Sequence, residues 1–195
     1  MAVNGLHRAL RDATAPLHRQ LDHHPLLQPL TQPVPDRHGY AIALAALQPI
    51  HVAYQTTLAA WQTHFAQPVG LDARARLDAL DADLATLDQS PFPLRARWPE
   101  ADRGAALIGQ RYVIDGSALG GLAIATRLDR TGSDLPRRFL AAGGADLPAR
   151  WRALLAFAEQ QQPDPAAVID AACTLFHTLL DHLDQVVALQ PVRYP

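Results

Sequence analysis

The chain has 195 residues, 49% of them apolar, which suits one domain with a sizeable core. All seventeen basic residues are arginine and the net charge is −2; this balance argues against a general nucleic-acid role and makes arginine the fixed cation for any bound anion. The single cysteine, Cys173, excludes a disulfide framework or zinc cluster and reads as a packing residue. The N-terminus lacks a basic-then-apolar signal pattern, so the expected location is the cytoplasm; no apolar run reaches about 18 residues, so no membrane span is expected.

Helix signals dominate in chain order. Leu6, Leu10, Leu17 and Leu21 mark one stripe of a first helix from about Asn4 to His24, with Pro16 removing one helical N–H. A loop with Pro25, Pro29, Pro33 and Pro35 follows. Asp36 is placed to cap a second helix through about Phe65, kinked near Pro49, and Asp72 to Asp88 reads as a third. A glycine-rich helix is expected from about Asp102 to Leu128, then a short one over Leu135–Ala142 and another from Leu147 to Gln161. Asp164-Pro165, a cap and a first-turn proline, opens a last helix through about Leu189. No strand alternation, repeat or heptad pattern is present. The expected architecture is all-α, a single domain over residues 1–190 with about seven helices and a loose tail at 191–195.

The glycine-rich helix is unusual. Gly104, Gly109, Gly116, Gly120 and Gly121 all fall within it, although each glycine costs about 0.5–1 kcal/mol relative to alanine in a helix interior. Gly116 and Gly120 are four apart and share a face, which leaves a bare surface for a flat object or for a close-packed helix. Arg111 and Asp115 interrupt the apolar run and disfavour a membrane version of that packing.

The first helix carries a second constellation. Arg11, Thr14, His18 and Asp22 are spaced by three or four residues and fall on one side. A metal-bound histidine donates its other ring N–H to a carboxylate or carbonyl, and Asp22 is one turn after His18. Arg11, two turns before His18, is placed to reach an anionic group at the edge of a flat ligand centred on the histidine. His177 also has an aspartate four residues on, Asp181, but the residue seven before it is Asp170, which would repel a carboxylate. His23 and His24 are expected to end the first helix in solvent; His7, His38, His64 and His182 read as surface or capping residues.

Leu10-Arg11-Asp12-Ala13-Thr14-x-x-Leu17-His18-x-x-x-Asp22, followed by Tyr112-Val113-Ile114-Asp115-Gly116-Ser117-Ala118-Leu119-Gly120-Gly121, resembles the heme oxygenase family, most closely its bacterial, biliverdin-producing branch. The similarity runs on through Arg137-Arg138-Phe139-Leu140 and Arg150-Trp151 to Phe176 in the last helix. It implies heme sandwiched between a proximal and a distal helix in an all-α fold. His18 then matches the proximal iron ligand, and Gly116, Gly120 and Gly121 the distal glycines. Arg11 matches a position that pairs with a heme propionate, with Tyr112 a second candidate; Thr14 and Asp22 belong to the same proximal motif, and Phe176 matches a pocket aromatic. Ser117 stands where animal members carry an aspartate that organises distal water. Gln48, His51 and Arg74 or Arg76 are further sources of distal polarity.

The resemblance implies oxidative cleavage of heme at a meso carbon, giving biliverdin, carbon monoxide and iron. Heme is then both substrate and cofactor, with no other metal expected. Dioxygen and an electron donor such as a ferredoxin or flavin reductase would be partners, a bacterial phytochrome could accept the pigment, and neither nucleic acid nor membrane is expected to be a partner. Three other readings remain: a heme carrier or sensor of the same fold, a non-heme di-iron oxidase, and a helical interaction module. The di-iron reading would have to rely on aspartates, since the only glutamates are Glu100 and Glu159.

Overall fold

The computed structural model describes residues 5–65, 70, 72–101 and 103–189. Seven α-helices form among them: α1 (Gly5–Asp22), α2 (Gln28–Thr31), α3 (Arg37–Phe65), α4 (Ala73–Thr86), α5 (Gly104–Arg130), α6 (Leu147–Gln160) and α7 (Pro165–Leu189). A 3-10 turn at Gly144–Asp146 leads into α6, and no strand occurs among the described residues. Asn4, Asp102 and the tail 191–195 lie outside the described residues.

The caps follow local rules. Asp36 accepts the Gly39 N–H at 2.8 Å, Asp72 that of Ala75 at 3.0 Å, and Asp164 that of Ala166 at 3.1 Å. The start of α1 is capped from a distance: the Leu6 N–H donates to Glu159 Oε1 on α6 at 2.8 Å. This serves a helix N–H that has no partner within the helix.

α7 is the spine. Val168, Ala172, Leu175, Leu183 and Val186 are fully buried along it, and both α1 and α5 pack against it. By length and average hydropathy α7 could cross a membrane; part of that window, including Val168, Ala172, Leu175 and Leu179, is buried in the core. A Cβ added to Gly109 would stand 2.5 Å from the Val168 carbonyl oxygen, so this glycine lets the α5 and α7 backbones touch. α1 and α5 barely meet one another, and the space left between them becomes the cavity described below.

The charges inside α5 are paired. Arg111 Nη2 lies 2.7 Å from Asp115 Oδ2, both side chains are buried, and the Tyr54 hydroxyl donates to Asp115 Oδ1 at 2.7 Å. The Arg111 guanidinium also lies 4.6 Å from the centre of the Trp61 ring. A buried pair with its remaining sites bonded is tolerable where an isolated charge would not be.

Several expectations are corrected. The short helix over Leu135–Ala142 does not form; this stretch is irregular and then a series of turns. The fully buried Asp83 carboxylate takes the Phe139 N–H at 2.9 Å, and the Tyr40 hydroxyl donates to the Pro136 carbonyl at 2.6 Å. These long-range bonds replace a helical ladder. The proline-rich loop contains the one-turn α2, with a proline in its first turn. α1 ends at Asp22, and His24 is buried rather than solvated: its Nδ1 accepts from the Leu26 N–H at 3.3 Å and its Nε2 is 3.2 Å from Asp184 on α7. His182 is likewise buried, 3.0 Å from the Ala46 carbonyl, and Cys173 is only half-buried.

Candidate functional site

A cavity of about 560 Å³ opens between α1 and α5, within the usual range of about 300–1,000 Å³ for small-molecule sites. Arg11, Thr14, His18 and Asp22 line it from α1, and Tyr112, Gly116, Ser117, Gly120 and Gly121 from α5. Phe176 lines it from α7, so these ten residues meet at one cavity.

On the α1 side, His18 Nδ1 lies 2.9 Å from Asp22 Oδ2. That bond fixes the tautomer with the proton on Nδ1 and leaves Nε2 for a ligand. The Phe176 ring stands edge-on to the imidazole with centroids 6.1 Å apart. Thr14 is buried and donates to the Leu10 carbonyl at 2.8 Å. Arg11 is exposed, and its Nε lies 3.5 Å from Asp12 Oδ1. His177 is exposed and is not among the cavity-lining residues.

On the α5 side the glycines divide. A Cβ on Gly116 would meet the Trp151 ring at 3.2 Å and one on Gly121 the Leu140 carbonyl oxygen at 3.2 Å, but one on Gly120 would meet nothing within 4 Å. The bare face read from the sequence is therefore open at Gly120 alone of these three. Gly104 lies against His64 and Phe65, and Gly109 against α7, so both are packing glycines.

Polar groups enter this side from α3 and α4. The Arg76 guanidinium is buried, donates to the Ile114 carbonyl at 3.0 Å and to Ser117 Oγ at 3.3 Å, and lies 4.6 Å from the centre of the Phe139 ring. Ser117 Oγ donates its own proton to the Ile114 carbonyl at 2.7 Å, so toward Arg76 it acts as acceptor. The His51 ring also packs against Phe139, with ring centroids 4.9 Å apart. His51 Nδ1 and Arg76 Nε are buried without a hydrogen-bond partner, and both residues line the cavity. Burial, and then the Arg76 charge, hold the His51 imidazole well below its usual range, so it is neutral. Burial lowers the Arg76 pKa to about 10, against the raising effects of Asp115 and Tyr54, so it remains a cation at neutral pH. Gln48 and Arg74 do not join this group: Gln48 bonds Asp81 and Arg74 pairs with Asp78, both on exposed surface.

The ring-bearing side chains of His7, Trp151 and Phe139 also line the cavity. Burial raises the Tyr112 pKa, opposed by its bond with Thr14 and by the Arg11 charge. Among the described residues no group of three His, Cys, Asp or Glu side chains could hold a metal, and Glu159 is occupied as the cap of α1. This disfavours the di-iron reading.

No protein-family model matches the chain. A heme oxygenase of Xanthomonas campestris pv. campestris (strain 8004) is 33% identical over 163 residues, which span 80% of this chain and 96% of that protein. The heme oxygenase of Neisseria meningitidis, solved with NO and CO bound, aligns over 96% of this chain and 94% of its own with a TM-score of 0.72. At 22% identity the second comparison shows a shared fold, and the identity and coverage of the first place this chain in the heme oxygenase family.

Proposed function

We propose that the chain binds heme between α1 and α5 and cleaves it at a meso carbon to biliverdin, carbon monoxide and ferrous iron, using dioxygen and external electrons. The observation that carries this reading is the His18–Asp22 pair at 2.9 Å on one wall of a cavity whose other wall is open at Gly120. The donor set fits heme: an imidazole oriented by a carboxylate, apolar walls, an arginine near one end, and two unpartnered buried nitrogens on the far side.

Heme, when bound, supplies both the iron at which dioxygen is reduced and the macrocycle that is oxidised. The chain's own residues set the conditions. Asp22 accepts the His18 Nδ1 proton, which directs Nε2 to the metal and strengthens it as a donor. Gly120 leaves volume above the ring, while Gly116 and Gly121 let Trp151 and the Leu140 backbone form the adjacent walls. Arg76 Nε and His51 Nδ1 can bond water on the distal side. Ser117 takes the place of an aspartate at its position and works through Arg76, holding the guanidinium rather than donating to the ligand itself. Arg11 and Tyr112 hold a propionate.

The reaction would take place in the cytoplasm with a ferredoxin or a flavin reductase as electron donor, and a bacterial phytochrome is a possible acceptor of the pigment. A hemin titration tests the binding half. The wild-type complex should show histidine ligation; His18→Ala should lose it and regain it in part with added imidazole. His177→Ala should leave the spectrum unchanged, and the reverse pattern would overturn the proximal assignment.

A further inference from the structure

The buried charges do not balance at the cavity. Among the described residues the buried carboxylates and guanidiniums are Arg76, Asp83, Arg111 and Asp115. Asp83 meets Arg138, which reaches it from the surface, at 3.2 Å. Both Asp115 oxygens are engaged: Oδ2 accepts from Arg111 Nε and Nη2 at 3.1 and 2.7 Å, and Oδ1 from the Tyr54 hydroxyl at 2.7 Å. Arg76 bonds only neutral oxygens, with Nη1 donating to the Ile114 carbonyl and Nη1 and Nη2 sharing Ser117 Oγ. A buried charge without an ion-pair partner is costly.

The unused donors of Arg76 sit together. A guanidinium carries five N–H bonds in a planar fork. The bonds to Ile114 and Ser117 take both Nη1 protons and the Nη2 proton beside them. The Nε–H and the other Nη2 proton remain, side by side on a second edge, which can grip two oxygens of a planar anion. Arg76 Nε is buried without a partner, as is His51 Nδ1, and both residues line the cavity. Water there would satisfy a donor but leave the charge uncompensated.

We propose that the cavity holds a small, planar, monovalent oxyanion of the formate, bicarbonate or nitrate class on Arg76, beside His51. Arg76 and Arg111 against Asp115 leave one positive charge to match, so a doubly charged sulfate would overshoot. The free edge favours two coplanar oxygens over a spherical halide. His51 Nδ1 adds a further donor in the tautomer that carries its proton there. The site stands on charge balance and donor geometry alone, and the heme-binding reading is not needed for it.

The test uses formate and the protein without porphyrin, at a total ionic strength of about 0.1 M held with sodium chloride. Arginine Nε–H signals are followed by proton–nitrogen NMR, and that of Arg76 is assigned by its loss in Arg76→Lys. Replacing chloride by formate should shift the Arg76 signal saturably. The Arg111 signal, held by Asp115, should stay in place. Formate should bind at least about tenfold more tightly than chloride or sulfate. Binding to the variants is read on the carbon signal of labelled formate, with thermal melting to confirm that they fold. Arg76→Gln should lose saturable binding, and Arg76→Lys should lose the preference for formate over chloride. Arg74→Gln, exposed and two residues away, should bind as the wild type does. An Arg76 Nε–H that ignores formate, or that answers sulfate equally, would overturn the proposal, and so would saturable binding that survives in folded Arg76→Gln. Should Arg76→Gln not fold, the wild-type Nε–H titration decides alone.

Discussion

The ring of Trp151 closes the face of α5 at Gly116: a Cβ there would stand 3.2 Å from the indole, while one on Gly120, a turn later, would meet nothing within 4 Å. Two glycines on one helical face thus do different jobs. The first lets an aromatic wall approach the backbone, and the second keeps volume empty.

Gly120→Leu should therefore fold normally, with stability unchanged or raised by the about 0.5–1 kcal/mol that leaving glycine gains in a helix. Hemin should still bind through His18, but oxidation should fail because the leucine occupies the space above the ring. Gly116→Leu should instead strike Trp151 and cost about 1–3 kcal/mol by overpacking. Thermal melting and single-turnover spectra on both variants distinguish these outcomes. A fully active Gly120→Leu would show that the empty volume is not the oxygen side.

Asp22→Asn should retain heme and weaken His18 as a donor, because an amide stabilises the Nδ1 proton less than a carboxylate at 2.9 Å does. The iron–histidine stretch of the ferrous complex, read by resonance Raman, should move to lower frequency. An unchanged stretch would leave the pair as a surface contact on α1.

Acid should destabilise the protein through its buried histidines. Burial and the Arg76 charge lower the His51 pKa, and burial lowers that of His182 against the raising effect of its Ala46 bond. Each is neutral when folded and binds a proton readily only once unfolded. The stability is therefore fully present above the free histidine value of about 6.5 and is lost as the pH falls below it, by up to about 1.4 kcal/mol per pH unit for each group. Urea unfolding at about pH 7.5 and about pH 5.5 should show this loss, and His51→Gln should reduce the slope by up to one such unit. An unchanged slope in His51→Gln would mean that His51 takes its proton without unfolding.

Asp83→Ala should cost about 2–4 kcal/mol, since it removes a fully buried carboxylate from the Phe139 N–H and from Arg138. The irregular segment that carries Phe139 should loosen. Because Phe139 packs against both His51 and Arg76, hemin affinity should fall as well. Hydrogen exchange of the Phe139 amide together with a hemin titration measures both effects.

Much of this was legible from the sequence because it is local. Asp36, Asp72 and Asp164 cap helices through bonds to N–H groups two or three residues on. His18 and Asp22 meet because they are one helical turn apart. What was not legible depends on distant partners. Leu135–Ala142 has a helical pattern, but Asp83 and Tyr40 take its backbone groups. His24 is buried by the approach of α7, 160 residues away in sequence. Two signals were available and unused. Arg76 and Asp83 are seven apart on the buried stripe of α4, which separates Arg76 from the outward Arg74. His7 is eleven residues, about three turns, before His18, and so belongs to the face that carries Arg11.

The most direct test of the central claim is the product of one turnover. Hemin bound to the wild-type protein, given a reductant and oxygen, should lose its Soret band and yield a linear tetrapyrrole identifiable by chromatography as biliverdin. His18→Ala should yield little, with partial recovery when imidazole is added. A Soret band that persists in the wild type under these conditions, with hemin bound and reduced, would contradict heme cleavage and leave the chain a heme-binding member of the fold.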